Sequence, residues 1–165
     1  MTPPRLILLS IAATVLAGPS LAAQASGPNA EVTATVDAAL GAATTGDVRK
    51  LADQYAPDCV FVDEFAPFLW TGPGAIQAYF MAGGRTYAET QHKADKARFG
   101  PASFVYVAAD RAFVVEPVNG SATVRGRPYS QSGAFAFTLV RIDGRWKITS
   151  QTWTKSQENM NPYAD

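Results

Sequence analysis

The sequence predicts an α+β fold, three N-terminal helices packed on a curved antiparallel sheet, and three observations carry that prediction. Apolar residues recur at three- and four-residue steps early in the chain, from Glu31 to Thr45 and again after Asp47. From about Ala88 onward the period changes to two, with turn pairs punctuating the runs. The strongest such pair is Asp143-Gly144, because both residues tolerate the positive φ of a two-residue hairpin turn. Helical segments followed by strands place helices over one face of a sheet.

The first 25 residues are set apart from the fold. One basic residue, Arg5, precedes an apolar run from Leu6 to Leu16, within the roughly 7–15 residues of a signal-peptide core and short of the ~20 that cross a bilayer. Residues 1–25 therefore read as a signal peptide, cleaved after Ala25, with Ala22 or Ala23 as alternatives, and the protein as exported, periplasmic or secreted. Residues 26–165 form one domain, large enough to bury a core without staples. Loss of Arg5 takes the 14 basic residues to 13, against 14 acidic. That balance gives no electrostatic basis for nucleic acid or an anionic membrane. The single cysteine, Cys59, sits in the apolar run CVFV and reads as a small buried side chain.

After a short leader at Ser26–Ala30, the first helix carries Val32, Val36, Ala39, Leu40 and Ala43 on one face and stops at Gly46. Asp47 caps a second helix, whose apolar stripe is Val48, Leu51, Ala52 and Tyr55 and whose end is Pro57. Cys59–Glu64 reads as a strand. Thr71, Gly72 and Pro73 open a third helix through Ala75, Ile76, Tyr79 and Phe80, with Gly83-Gly84 as its terminator. Strands are expected near Lys93–Phe99, Ala102–Ala108, Ala112–Val124, Tyr129–Ile142 and Arg145–Lys155. Asp110-Arg111 and Gly126-Arg127 are softer turns. Pro117 and Asn119-Gly120 should interrupt the third of these strands by a bulge, a bend or an additional hairpin.

Alternation puts Cys59, Phe61 and Asp63 on one strand face and Val60, Val62 and Glu64 on the other. A carboxylate held against Phe61, Phe65, Phe68 and Trp70 loses solvation, which raises its pKa toward that of a usable base. Aromatic residues able to face the helices are Tyr55, Trp70, Tyr79, Phe80, Tyr129, Phe135, Phe137 and Trp153. His92 and Glu116 are the polar candidates for a second acid–base group. One histidine and one cysteine leave no spacing for a metal site, and no phosphate-loop or nucleophile-elbow motif occurs, so neither metal nor cofactor is expected.

The segments TGDVRKLADQYAPDCVFVDEF, WTGPGAIQAYF, RGRPYSQSGAFAFTLV and IDGRWKI together resemble the nuclear transport factor 2-like superfamily, in its SnoaL-like and ketosteroid isomerase-like branches. The resemblance spans nearly all of residues 26–165. It implies a cone-shaped sheet with an apolar pocket at its mouth, and a homodimer formed through the sheet's outer face. It also places Asp63 at the general-base aspartate of the isomerases. The isomerases' two oxyanion donors fall on Ala39 and Thr138, and the final-strand histidine of many relatives is missing from Ser150-Gln151-Thr152-Trp153.

Three readings stay open. The first is an exported protein binding a small, largely apolar molecule, lined by Tyr55, Phe61, Trp70, Tyr79, Phe80, His92, Glu116, Phe135, Phe137 and Trp153. The second is a cofactor-independent isomerase, dehydratase or cyclase using Asp63 as general base. The third is a noncatalytic dimerisation or interaction module.

Overall fold

In the computed structural model, which describes residues 27–163, the chain runs α1 (Pro28–Thr45), α2 (Val48–Ala52), β1 (Tyr55–Val62), β2 (Leu69–Trp70), α3 (Ala75–Glu89), β3 (Lys93–Phe99), β4 (Phe104–Ala108), β5 (Arg111–Val124), β6 (Arg127–Ile142) and β7 (Arg145–Glu158). The signal-peptide reading falls outside the described residues. Pro28 opens α1, where its missing N–H has no partner to lose. Gly46 closes it with φ 69°. The Asp47 carboxylate accepts the Lys50 N–H at 3.1 Å, so the expected cap of α2 is present.

α2 is shorter than its apolar stripe implied. Asp53 ends it, and Tyr55 begins β1 instead, pairing with Ile148 of β7. Pro57 thus lies inside a strand. α3 runs past Gly83-Gly84 to Glu89. Phe65 packs beside Gly83, where an added Cβ would meet its Cζ at an ordinary 3.5 Å.

The sheet order is β2-β1-β7-β6-β5-β3, with β4 also on β5. It is the expected curved, mostly antiparallel sheet, with β1 and β7 as a parallel pair. The two strands are far apart in sequence and joined by no hairpin, so no turn dictates their direction. Asp143-Gly144 makes the expected turn, with φ 48° and 76°. The other tight turns are centred on Ala109-Asp110 and Arg125-Gly126, one residue before the expected pairs.

β5 is continuous through Pro117 and Asn119-Gly120 and pairs with β6 without a shift. Pro117 is tolerated because its carbonyl accepts the Gly100 N–H, on the flank where β5 passes from its β4 partner to its β3 partner. A missing donor on that side costs no ladder bond.

The core lies between the helices and the sheet's inner face. Val32, Val36 and Leu40 of α1 meet Val114, Phe137, Leu139 and Ile148. Cys59 and Phe61 point inward from β1, each 1% exposed. The outer face of β4 and β5 leaves Phe104, Tyr106 and Phe113 in solvent. Among the described residues no helix is long and apolar enough to cross a membrane.

Candidate functional site

Asp63 is the first residue beyond β1, where its own N–H donates to the Phe68 carbonyl and folds the 63–68 loop back. Its Oδ1 accepts the Glu64 N–H at 2.7 Å and its Oδ2 accepts the Tyr79 hydroxyl at 2.7 Å. Burial pushes the carboxyl up to about 6, and the bonds from Tyr79 and Glu64 only partly offset it. Tyr79 is itself pushed well above its ordinary range, by burial first and then by the charge of Asp63, so it stays a donor.

Several aromatics expected to touch a ligand instead hold Tyr79 in place. Phe61 stacks on it at 4.6 Å, and Trp70 and Phe80 meet it edge-on at 5.1 and 5.2 Å. Tyr55 stacks on the other side of the group, against Phe61 at 5.1 Å, and donates its hydroxyl to Gln151 Oε1. Phe137 is fully buried in the core.

A cavity of about 120 Å³ opens beside Asp63. Of the residues singled out from the sequence, Asp63, Phe65, Tyr79, His92, Tyr129, Phe135 and Trp153 line it. Tyr55, Phe61, Trp70, Phe80, Glu116 and Phe137 are not among its lining residues. The volume is comparable with the ~150 Å³ apolar cavity that accommodates benzene, enough for one small ring or short chain.

His92 Nδ1 lies 2.7 Å from Thr90 Oγ1. The single hydroxyl proton of Thr90 is already donated to the Thr86 carbonyl, so His92 Nδ1 carries a hydrogen and donates it to Thr90 Oγ1. The imidazole stacks on Tyr87 at 4.6 Å and meets Tyr129 edge-on.

Sequence reasoning missed Glu64, Gln131, Pro162 and Tyr163 in the cavity wall. Alternation had turned Glu64 to the opposite face from Asp63, but β1 ends at Val62 and its period ends with it. Lys155 Nζ bonds Glu64 Oε2 at 2.7 Å and Glu158 Oε2 at 2.6 Å. Burial pulls its pKa down, but the two carboxylates outweigh burial and hold it above the usual lysine value. Its place two residues after Trp153 on β7 was the available signal. Tyr129 donates to Gln131 Oε1 at 2.8 Å and approaches Glu158 Oε2 at 3.3 Å. Among the described residues no three His, Cys, Asp or Glu side chains gather as metal ligands would.

Glu116 has a different character. It points inward from β5 opposite Phe135, is 3% exposed, and has no hydrogen-bond or ion-pair partner shown among the described residues. Burial, with a smaller push from Asp37, lifts it to about 7. A raised carboxyl pKa stabilises the fold below the unfolded value and loses that stability as pH rises through about 7. Glu116→Leu is therefore expected to stabilise the protein by about 1–3 kcal/mol at pH 8 and by less at pH 4. Denaturant unfolding at the two pH values checks this, and an equal effect at both would contradict it.

A family model described as the SnoaL-like domain matches residues 32–153. None of the curated proteins matches the chain. Among solved structures, a ketosteroid isomerase-like protein from Erwinia carotovora atroseptica SCRI1043 is 20% identical, covers 78% of this chain and 96% of its own, and has a TM-score of 0.64. The hexachlorocyclohexane dehydrochlorinase LinA-type3 from Novosphingobium barchaimii LL02 is 13% identical, with coverages of 84% and 90% and a TM-score of 0.66. A putative calcium/calmodulin-dependent protein kinase II association domain from Xanthomonas campestris is 24% identical, with coverages of 80% and 90% and a TM-score of 0.61. These likenesses establish the shared nuclear transport factor 2-like fold.

Proposed function

The chain belongs to the SnoaL-like domain family, and from that premise we propose that it is an exported, cofactor-independent enzyme that uses the Asp63 carboxylate to take a proton from a small, largely apolar molecule. The observation that carries this reading is a carboxylate of pKa about 6 in a cavity wall, fixed by Tyr79 and Glu64. A base poised near the working pH is ionised often enough to act and basic enough to take a proton. His92 lines the same cavity and supplies a second proton-handling group.

The commitments of two of the cavity's hydroxyl protons favour one reaction class. The Tyr79 proton is committed to Asp63, and the Tyr129 proton to Gln131 and Glu158. Neither is aimed at a developing oxyanion, the usual need of carbonyl isomerisation. An elimination releases its electron pair with the leaving group, so it places less demand on such donors. The dehydrochlorinase neighbours show the same fold in proteins named for an elimination.

The test is incubation in D₂O with a panel of small halides, alcohols and ketones, following loss of HX or water and deuterium uptake. Turnover by the wild type that Asp63→Asn lowers by about 10²-fold or more is the expected result; no difference between the two proteins would overturn it. The same paired hydroxyls also favour a second reading, a noncatalytic binder with Asp63 as its polar anchor. That reading predicts saturable binding without turnover in the same panel. Export and pairing through the outer face, where Phe104 and Tyr106 are exposed, predict a dimer lacking about 25 residues outside the cytoplasm. A full-length cytoplasmic monomer would contradict both.

A further inference from the structure

We propose that the C-terminal strap, Asn159–Tyr163, is a working part of the site: it closes the cavity over Asp63, and a ligand reaches the carboxylate only when the strap lifts. This rests on the reading of Asp63 as the working group of the cavity.

The strap begins where β7 ends, and Asn159 pins its first residue. The Asn159 N–H donates to the Ser130 carbonyl at 3.1 Å, Oδ1 accepts the Ser130 N–H at 2.8 Å, and Nδ2 donates to the Pro128 carbonyl at 3.1 Å. Beyond that pin the described residues make no further strand pairing. It turns inward instead. Pro162 is fully buried between exposed Asn161 and Tyr163, and both Pro162 and Tyr163 line the cavity that holds Asp63.

The burial of Pro162 and a short polar latch hold this segment down. The Tyr163 hydroxyl donates to Glu64 Oε1 at 3.2 Å, Lys155 bonds Glu64 Oε2, and the Lys155 ammonium lies 5.7 Å from the Tyr163 ring centre. The Lys155 and Glu64 side chains are 16% and 26% exposed, so the latch is partly buried, but a segment tied by only a few such contacts opens at lower cost than the sheet does. The pin stays while the latch releases, which makes the strap a hinged flap anchored at Asn159.

Glu64 couples the flap to the chemistry. Its side chain holds Tyr163 while its backbone N–H donates to Asp63 Oδ1. Closing the strap removes water from Asp63, and burial is the largest influence on that carboxyl. The other groups that face it are Tyr79 from α3, Glu64 from the loop and Lys155 from β7, with Glu158 behind Lys155. His92, Tyr87 and Tyr129 stand farther round the same wall.

The experiment follows the Asp63 side-chain carboxyl by ¹³C NMR through a pH titration of the full chain, with Asp63→Asn identifying its signal. In the double variant Pro162→Gly/Tyr163→Ala the midpoint is expected to fall from about 6 to within about one unit of the ordinary 3.9. Should the double variant not fold, Pro162→Ala is expected to move the midpoint in the same direction by a smaller amount. A folded variant whose midpoint stays where the wild type has it overturns the strap inference and leaves the proposed function standing. A wild-type midpoint already near 4 overturns both.

Discussion

Asp63→Asn is expected to lower turnover by about 10²–10⁴-fold, the usual share of a general base, while making the protein more stable at pH 8. The two effects have one cause. Asp63 is raised from 3.8 to about 6, chiefly by burial, so the native state favours its neutral form. That preference adds stability below about pH 4, and the addition is lost as pH climbs through about 6. A shift of this size corresponds to roughly 3 kcal/mol as an upper figure. Asparagine resembles the neutral acid and has no such dependence. The gain of the variant over the wild type should therefore be near zero at pH 4 and approach a few kcal/mol at pH 8. Denaturant unfolding across that range reads it directly. A variant less stable than the wild type at pH 8 would mean that Asp63 is a satisfied structural acceptor.

Gly133→Ala is expected to cost about 3 kcal/mol or more, at the upper end of overpacking effects. A Cβ there would lie 2.2 Å from the Thr154 carbonyl oxygen and 2.7 Å from the Trp153 ring. The first is backbone in the neighbouring strand, so β7 itself must shift. Register between β6 and β7 already slips beside this residue, between Ser132 and Gly133. The Trp153 ring, packed against Phe135 at 5.0 Å, forms part of the cavity wall and would be pushed with it. Thermal unfolding measures the cost. An Ala variant as stable as the wild type would show that the two strands are not packed as closely as described.

Local chemistry made much of this architecture legible. Asp143-Gly144 and Lys93–Phe99 could be placed to the residue, because turn type and strand alternation are decided by neighbours in the chain. Asp63 was singled out by the same alternation, as the next residue on the face of Cys59 and Phe61. Tyr55 was misplaced because its spacing fits a helical stripe, whereas its partners, Ile148 and Gln151, lie across the sheet. Gly83-Gly84 looked like a terminator, yet α3 runs through both to Glu89. The cavity's composition was the least legible feature. Glu64 faces it only because the strand has ended, and Pro162 only because the chain's last described residues fold back onto the sheet mouth. Such contacts have no period, so pattern reading cannot find them.

The role proposed for Asp63 is that of a desolvated base in a cavity rather than an ordinary strand-end carboxylate. Titrating its side-chain carboxyl in the wild-type protein by ¹³C NMR tests that role most directly. A midpoint near 6 is expected; a midpoint at or below the ordinary 3.9 would contradict it.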